Sequence, residues 1–103
     1  MLVLKRQRGE SIDFHRADSL IARITLVRAS GHRVDVRIEE YGEPGRPDPR
    51  AKIRSLSLYL DQSFLAAGMK VVIARIRAGG VRFAIHAGND VKILRSELLT
   101  ESH

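Results

Sequence analysis

The chain has no cysteine and no tryptophan, and its aromatics amount to two tyrosines and three phenylalanines in 103 residues. Without thiols there is neither a disulfide nor a thiolate metal site, a composition compatible with a reducing cytosol. So few aromatics argue against a wide base-stacking platform of the single-strand-binding kind. No apolar run is long enough to span a bilayer, and no apolar segment followed by a small-residue cleavage site marks a leader. The expectation is therefore a soluble cytoplasmic protein with no membrane partner. The four histidines, His15, His32, His86 and His103, are scattered without metal-ligand spacing. Ser30 and His32 flank a turn glycine, and Gly79-Gly80 reads as a turn rather than a phosphate-binding loop. No catalytic residue, metal or cofactor is expected, and the chain does not read as an enzyme.

Positive charge is what the chain has in excess. Eighteen Lys and Arg stand against twelve Asp and Glu, a net charge of +6. That sign favours a polyanionic partner through attraction and counterion release. Arginine dominates, and its planar fork of donors suits phosphates and guanine edges. Arg23, Arg28, Arg37, Arg75, Arg77 and Arg82 fall mostly on outward strand positions, where a solvated face with general electrostatic attraction accounts for them.

Along the chain the pattern is that of strands. Residues Met1 to Gln7 read as a first strand ending at Arg8-Gly9. "SIDFH" alternates Ile12 and Phe14 with polar neighbours, as a short strand or extended corner. "SLIARITLVRASGHRVDVRI" has the period of two of a half-buried hairpin, turning at Ser30-Gly31-His32. All three prolines lie in "EEYGEPGRPDPR", a loop or linker. "AKIRSLSLYLDQSFLAAG" fits both a helical face and a strand. We read a strand through Leu60 and then a short helix over "QSFLAA", with Asp61 as its N-cap and Gly68 as its stop. "MKVVIARIRAGGVRFAIHAG" is a second hairpin, "NDVKIL" a last strand, and "RSELLTESH" a short helix or a frayed end. The two hairpins share an Arg-Ala, a Gly turn and a Val-x-[Val/Phe]-x-Ile run, so an internal duplication is as well supported as chance.

"MLVLKRQRGESIDF" resembles the opening of the carbon storage regulator family (CsrA/RsmA type), in Met1, Leu2, Val3, Leu4, Lys5, Arg6, Gly9, Glu10, Ser11 and Ile12. Ile24 to Ile38 looks like the family's hairpin. "GGVRFAIHAGNDVKILRSELL" is similar to its ending, with Ala87, Asp90, Val91, Ile93, Arg95, Glu97 and Leu98 at the matching steps. Gly88 stands where the family usually has proline, and Gln7 where a second arginine is common. The Pro-rich stretch replaces the closing strand expected after Ile38.

The resemblance implies a mainly β fold, small antiparallel or mixed sheets packed as a dimer or single-chain pseudo-dimer. The chain is either a homodimeric member with a large insertion or a tandem of halves, 1–45 and 53–103, within a single 1–103 unit; the tandem is slightly favoured. It implies post-transcriptional regulation by binding GGA-containing messenger or small regulatory RNA. In the family the first strand of one protomer and the last strand of the other build each RNA site. Carried over, Leu4 packs on a base or shapes the edge, Lys5 and Arg6 neutralise phosphate, and Arg95 is the indispensable contact, with Leu94 and Ala87 beside it. The plain alternatives are core packing for Leu4, a solvated strand end for Lys5 and Arg6, and a salt bridge to Glu97 or a surface charge for Arg95. A different class also remains: a diverged protein-interaction module that keeps the fold but no longer binds RNA specifically.

Overall fold

The computed structural model describes residues 1–41, 52–78 and 80–95. The expected C-terminal helix, the Pro-rich linker and Gly79 lie outside these residues. Among the described residues nine strands follow one another: β1 (Leu2–Arg6), β2 (Ser11–Arg16), β3 (Ser19–Ser30), β4 (Arg33–Glu40), β5 (Lys52–Tyr59), β6 (Ser63–Ala66), β7 (Met69–Arg77), β8 (Gly80–His86) and β9 (Val91–Arg95). They form two sheets, ordered β1-β8-β7-β6 and β5-β4-β3-β2-β9. Every pairing is antiparallel, so neither sheet is mixed. Among the described residues no helix is long and apolar enough to cross a membrane.

The two sheets exchange strands. β1 leaves the run β2–β4 that follows it and pairs with β8, while β9 leaves β8 and pairs with β2. One buried cluster draws on both sheets, with Phe14, Ile24, Val36 and Ile38 from one and Val71, Ile73, Phe83 and Ile85 from the other. Phe14 and Phe83 are fully buried, each contributing about 2–3 kcal/mol by transfer of its ring from water.

The short helix expected over "QSFLAA" is not there; Gln62 precedes β6, Ser63–Ala66 form it, and Ala67 lies in the turn after it. Phe64 and Ala66 are buried while Ser63 and Leu65 are exposed, the period of a strand. Asp61 is not an N-cap. It has φ 67°, a left-handed turn residue. Pairing with β7 decides the conformation, and the two-residue turn Ala67-Gly68 (φ 49° and 81°) closes the hairpin, as in the primed turns whose twist matches that of the strands.

The first and second halves repeat each other in bonding. Between β1 and β2, Gln7 N–H donates to the Glu10 Oε1 (2.6 Å) and Glu10 N–H to the Gln7 carbonyl (2.9 Å). Gly9 N–H donates to Leu26 O (2.7 Å), and Leu26 N–H to Glu10 O (3.0 Å). Between β5 and β6, Tyr59, Gln62, Asp61 and Ile73 make the same four bonds in the same order. Each long hairpin then breaks register just past this anchor, between Leu26 and Arg28 and between Ile73 and Arg75, and ends on an equally spaced pair, Ser30 with Arg33 and Arg77 with Gly80. The structural counterpart of Arg28 is thus Arg75, not Arg77, and the shared Arg-Ala of the two sequences does not superpose.

Candidate nucleic-acid interface

β1 and β9 are edge strands of different sheets, and their C-terminal ends meet at the start of β2. Arg6 donates from Nε to the Lys5 carbonyl (2.7 Å) and from Nη1 to the Ser11 carbonyl (3.4 Å), with the Glu10 carboxylate 4.0 Å away. Arg95, the last residue of β9, is the cross-strand partner of Ile12, the residue after Ser11. The corner is held firmly. Ser11 shares a hydroxyl hydrogen bond with Thr25 (2.8 Å). Gly80 lies so close to β1 that a Cβ there would sit 2.6 Å from the Arg6 carbonyl oxygen.

The six residues expected at the site are distributed along this pair of edges. Leu4 is half-buried, opposite Phe83, and packs on the core. Lys5 is exposed, opposite Arg82. Arg6 is 3% exposed, so its guanidinium serves the corner rather than open solvent. Leu94 is half-buried, opposite Asp13. Ala87 is exposed in the connector before β9, at the opposite end of that strand from Arg95. The structure therefore gathers Lys5, Arg6 and Arg95 at one end, with Leu4 and Leu94 along the strands and Ala87 at the far end.

Beside the corner runs a groove between the tips of the two long hairpins. Gln7, Arg8, Leu26, Arg28, Arg77 and Gly80 contribute to its lining, which among the described residues holds three arginines and no acid. Arg28 leans toward Asp35 at 3.7 Å. The sequence pattern left Arg28 and Arg77 among outward strand positions. What brings them together is the equal spacing of the last paired residues at the two hairpin tips, Ser30 with Arg33 and Arg77 with Gly80.

The outer face of the five-stranded sheet is neutralised instead. Arg23 holds Asp13, Arg33 holds Asp35 (2.9 Å) and Arg37 lies 3.2 Å from Glu39. Bonds from Ser57 and Arg33 hold the Asp35 carboxyl below its ordinary range, and the Asp13 bond raises Arg23 above its own. No cluster of three or more His, Asp or Glu that would hold a metal occurs among the described residues. No protein-family model matches the chain, and no curated protein or solved structure is significantly similar to it.

Proposed function

We propose that the chain is an RNA-binding post-transcriptional regulator that takes a GGA-containing loop at the corner of β1 and β9, and that it is built as a tandem pseudo-dimer. One observation carries the reading. Strands from opposite ends of the chain converge on Ser11 and Ile12, bringing Arg6 and Arg95 to one place beside a groove lined by Arg8, Arg28 and Arg77. Edge strands offer backbone groups to unpaired bases, and loops expose base edges that a duplex hides. The exposed Arg8, Arg28 and Arg77 supply phosphate contacts, while Arg6 holds the corner.

The repeat explains why one site per chain is expected. At the second corner, Leu56, Ser57 and Leu58 occupy the register positions of Leu4, Lys5 and Arg6. Asp61 occupies that of Gly9. The cations are gone, an acid has arrived, and no described strand pairs with the outer side of β6 as β9 does with β2.

The test is a titration of a fluorescent RNA hairpin with GGA in its loop, beside the same hairpin with the triplet scrambled. The expected outcome is GGA-dependent binding at one RNA per chain, lost in Arg95→Ala. Equal and weak binding to both, melting away with salt, would refute the reading and favour a protein-interaction module.

A further inference from the structure

The outer face of the four-stranded sheet carries a different charge pattern from its counterpart. Lys5 on β1 faces Arg82 on β8, and Arg82 faces Arg75 on β7. All three are exposed. Like charges opposite one another on adjacent strands repel and weaken a sheet. The five-stranded sheet avoids this by pairing Arg23, Arg33 and Arg37 with acids. None of the residues placed on the four-stranded sheet's outer face is acidic, and no ion pair joins Lys5, Arg82 or Arg75 to an acid among the described residues. One row further along, Val3, Ala84 and Val72 stand side by side, and beyond them His86 faces Lys70. The row Lys5-Arg82-Arg75 spans two inter-strand spacings, about 10 Å. It begins at Lys5, next to the corner.

The geometry points to a track for the phosphates of single-stranded RNA flanking the recognised loop, running from the corner across β1, β8 and β7. The inference rests on the RNA reading for its partner and extends that reading to a second surface. It commits to backbone contact because no Phe, Tyr or Trp is described on this face to stack a base, and the imidazole of His86 stands two rows away from Lys5-Arg82-Arg75. A phosphate seated between Lys5 and Arg82, or between Arg82 and Arg75, relieves the repulsion that the bare sheet carries.

The experiment uses the full chain, the GGA hairpin, and the same hairpin extended by an oligouridine tail at either end, titrated over a range of salt. A tail is expected to tighten wild-type binding and steepen its salt dependence. In the double variant Arg75→Gln, Arg82→Gln that gain disappears, and the salt slope for tailed RNA falls by about 1.4, at about 0.7 per single-strand phosphate released. Discrimination between GGA and scrambled loops stays as in the wild type, and the melting temperature is unchanged or higher. A tail without effect on the wild type, or a gain that survives in the double variant, would overturn the track. Polyglutamate displacing the tail as effectively, charge for charge, would also overturn it. Should the tail effect appear and depend on Arg75 and Arg82 while GGA preference is absent, the track stands and the corner reading fails.

Discussion

Asp13 and Arg23 form a two-pronged ion pair on the outer face of the five-stranded sheet, with Nε to Oδ1 at 2.7 Å and Nη2 to Oδ2 at 3.1 Å. Asp13 is fully buried, and its strand neighbour on the other side is Leu94 of β9. The pair thus lies beside the strand that carries Arg95. Removing one partner of a buried pair strands the other charge, which typically costs about 3–5 kcal/mol. Arg23 remains about a third exposed, so water shares the load and we expect about 2 kcal/mol for Arg23→Gln, discounting that range for solvent screening. The double variant Asp13→Asn, Arg23→Gln should recover part of that loss, because no bare carboxylate remains. Urea unfolding of the three variants checks this; a double variant as unstable as the sum of the singles would refute the coupling.

Gly80 fixes β1 by having no side chain. With a Cβ 2.6 Å from the Arg6 carbonyl, Gly80→Ala forces the end of β1 off β8. Amide exchange should quicken across Leu4, Lys5 and Arg6 while the β3–β4 hairpin keeps its protection, and affinity for the GGA hairpin should drop at least tenfold. Undisturbed exchange in β1 would show that the contact relaxes without consequence.

Much of this fold was legible because alternation is a local signal. β1 to β4 and β7 to β9 sit where period two placed them, and Gly31, with φ 61°, lies in the turn expected at Ser30-Gly31-His32. The register breaks after Leu26 and Ile73 were not legible, since an added residue in one strand leaves no mark on composition. Nor was β6. Asp61 and Gly68 bracket "QSFLAA" as caps bracket a helix, and only pairing with β7 decides otherwise. At the candidate site, the basic end of β1 was visible and the burial of Arg6 was not. Its burial depends on the Ser11 carbonyl and Gly80, the second far away in sequence.

Arg54 covers the outer edge of β6, with which no described strand pairs. Its Nη2 donates to the Leu65 carbonyl on β6, and its Nε lies 3.3 Å from Glu40, whose other oxygen accepts from Ala67 N–H at 2.9 Å. Asp13, at the corresponding place in the first half, pairs there with Leu94 of β9. Unpaired strand edges invite pairing between chains. Arg54→Ala should therefore give concentration-dependent association in analytical ultracentrifugation, with Leu65→Pro in the same background returning the monomer-like profile. A variant sedimenting as the wild type does at all concentrations would show that Arg54 is not what shields β6.

The pH dependence should have two separable limbs. Asp35 is held below its ordinary range by Ser57 and Arg33, so its contribution is present above about pH 4 and is lost as acid protonates the folded carboxylate. Tyr41 is raised above its ordinary range, first by its hydrogen bond to Glu39. The folded state keeps that proton longer than the unfolded chain, so stability falls as pH rises past about 10. Asp35→Asn should flatten the acid limb alone and Tyr41→Phe the alkaline limb alone. Thermal melts across pH test both assignments, and a variant that flattens the opposite limb would exclude its own.

Lys5 and Arg6 are adjacent in sequence and should separate cleanly in experiment. Lys5 is exposed with no acid beside it, so Lys5→Gln should change stability by less than about 0.5 kcal/mol. Its effect belongs to binding: weaker RNA affinity at low salt and a salt slope smaller by about 0.7, one phosphate contact. Arg6 is buried on the Lys5 and Ser11 carbonyls. Arg6→Gln leaves those acceptors short of a charged donor, at a cost of about 1.5–3 kcal/mol, and it loosens the corner on which Arg95 depends. Its affinity loss should then persist at high salt, where phosphate contacts are screened. If Arg6→Gln instead lost affinity only at low salt and melted like the wild type, its guanidinium would be turned outward to phosphate, and the buried corner would not be the form that binds RNA.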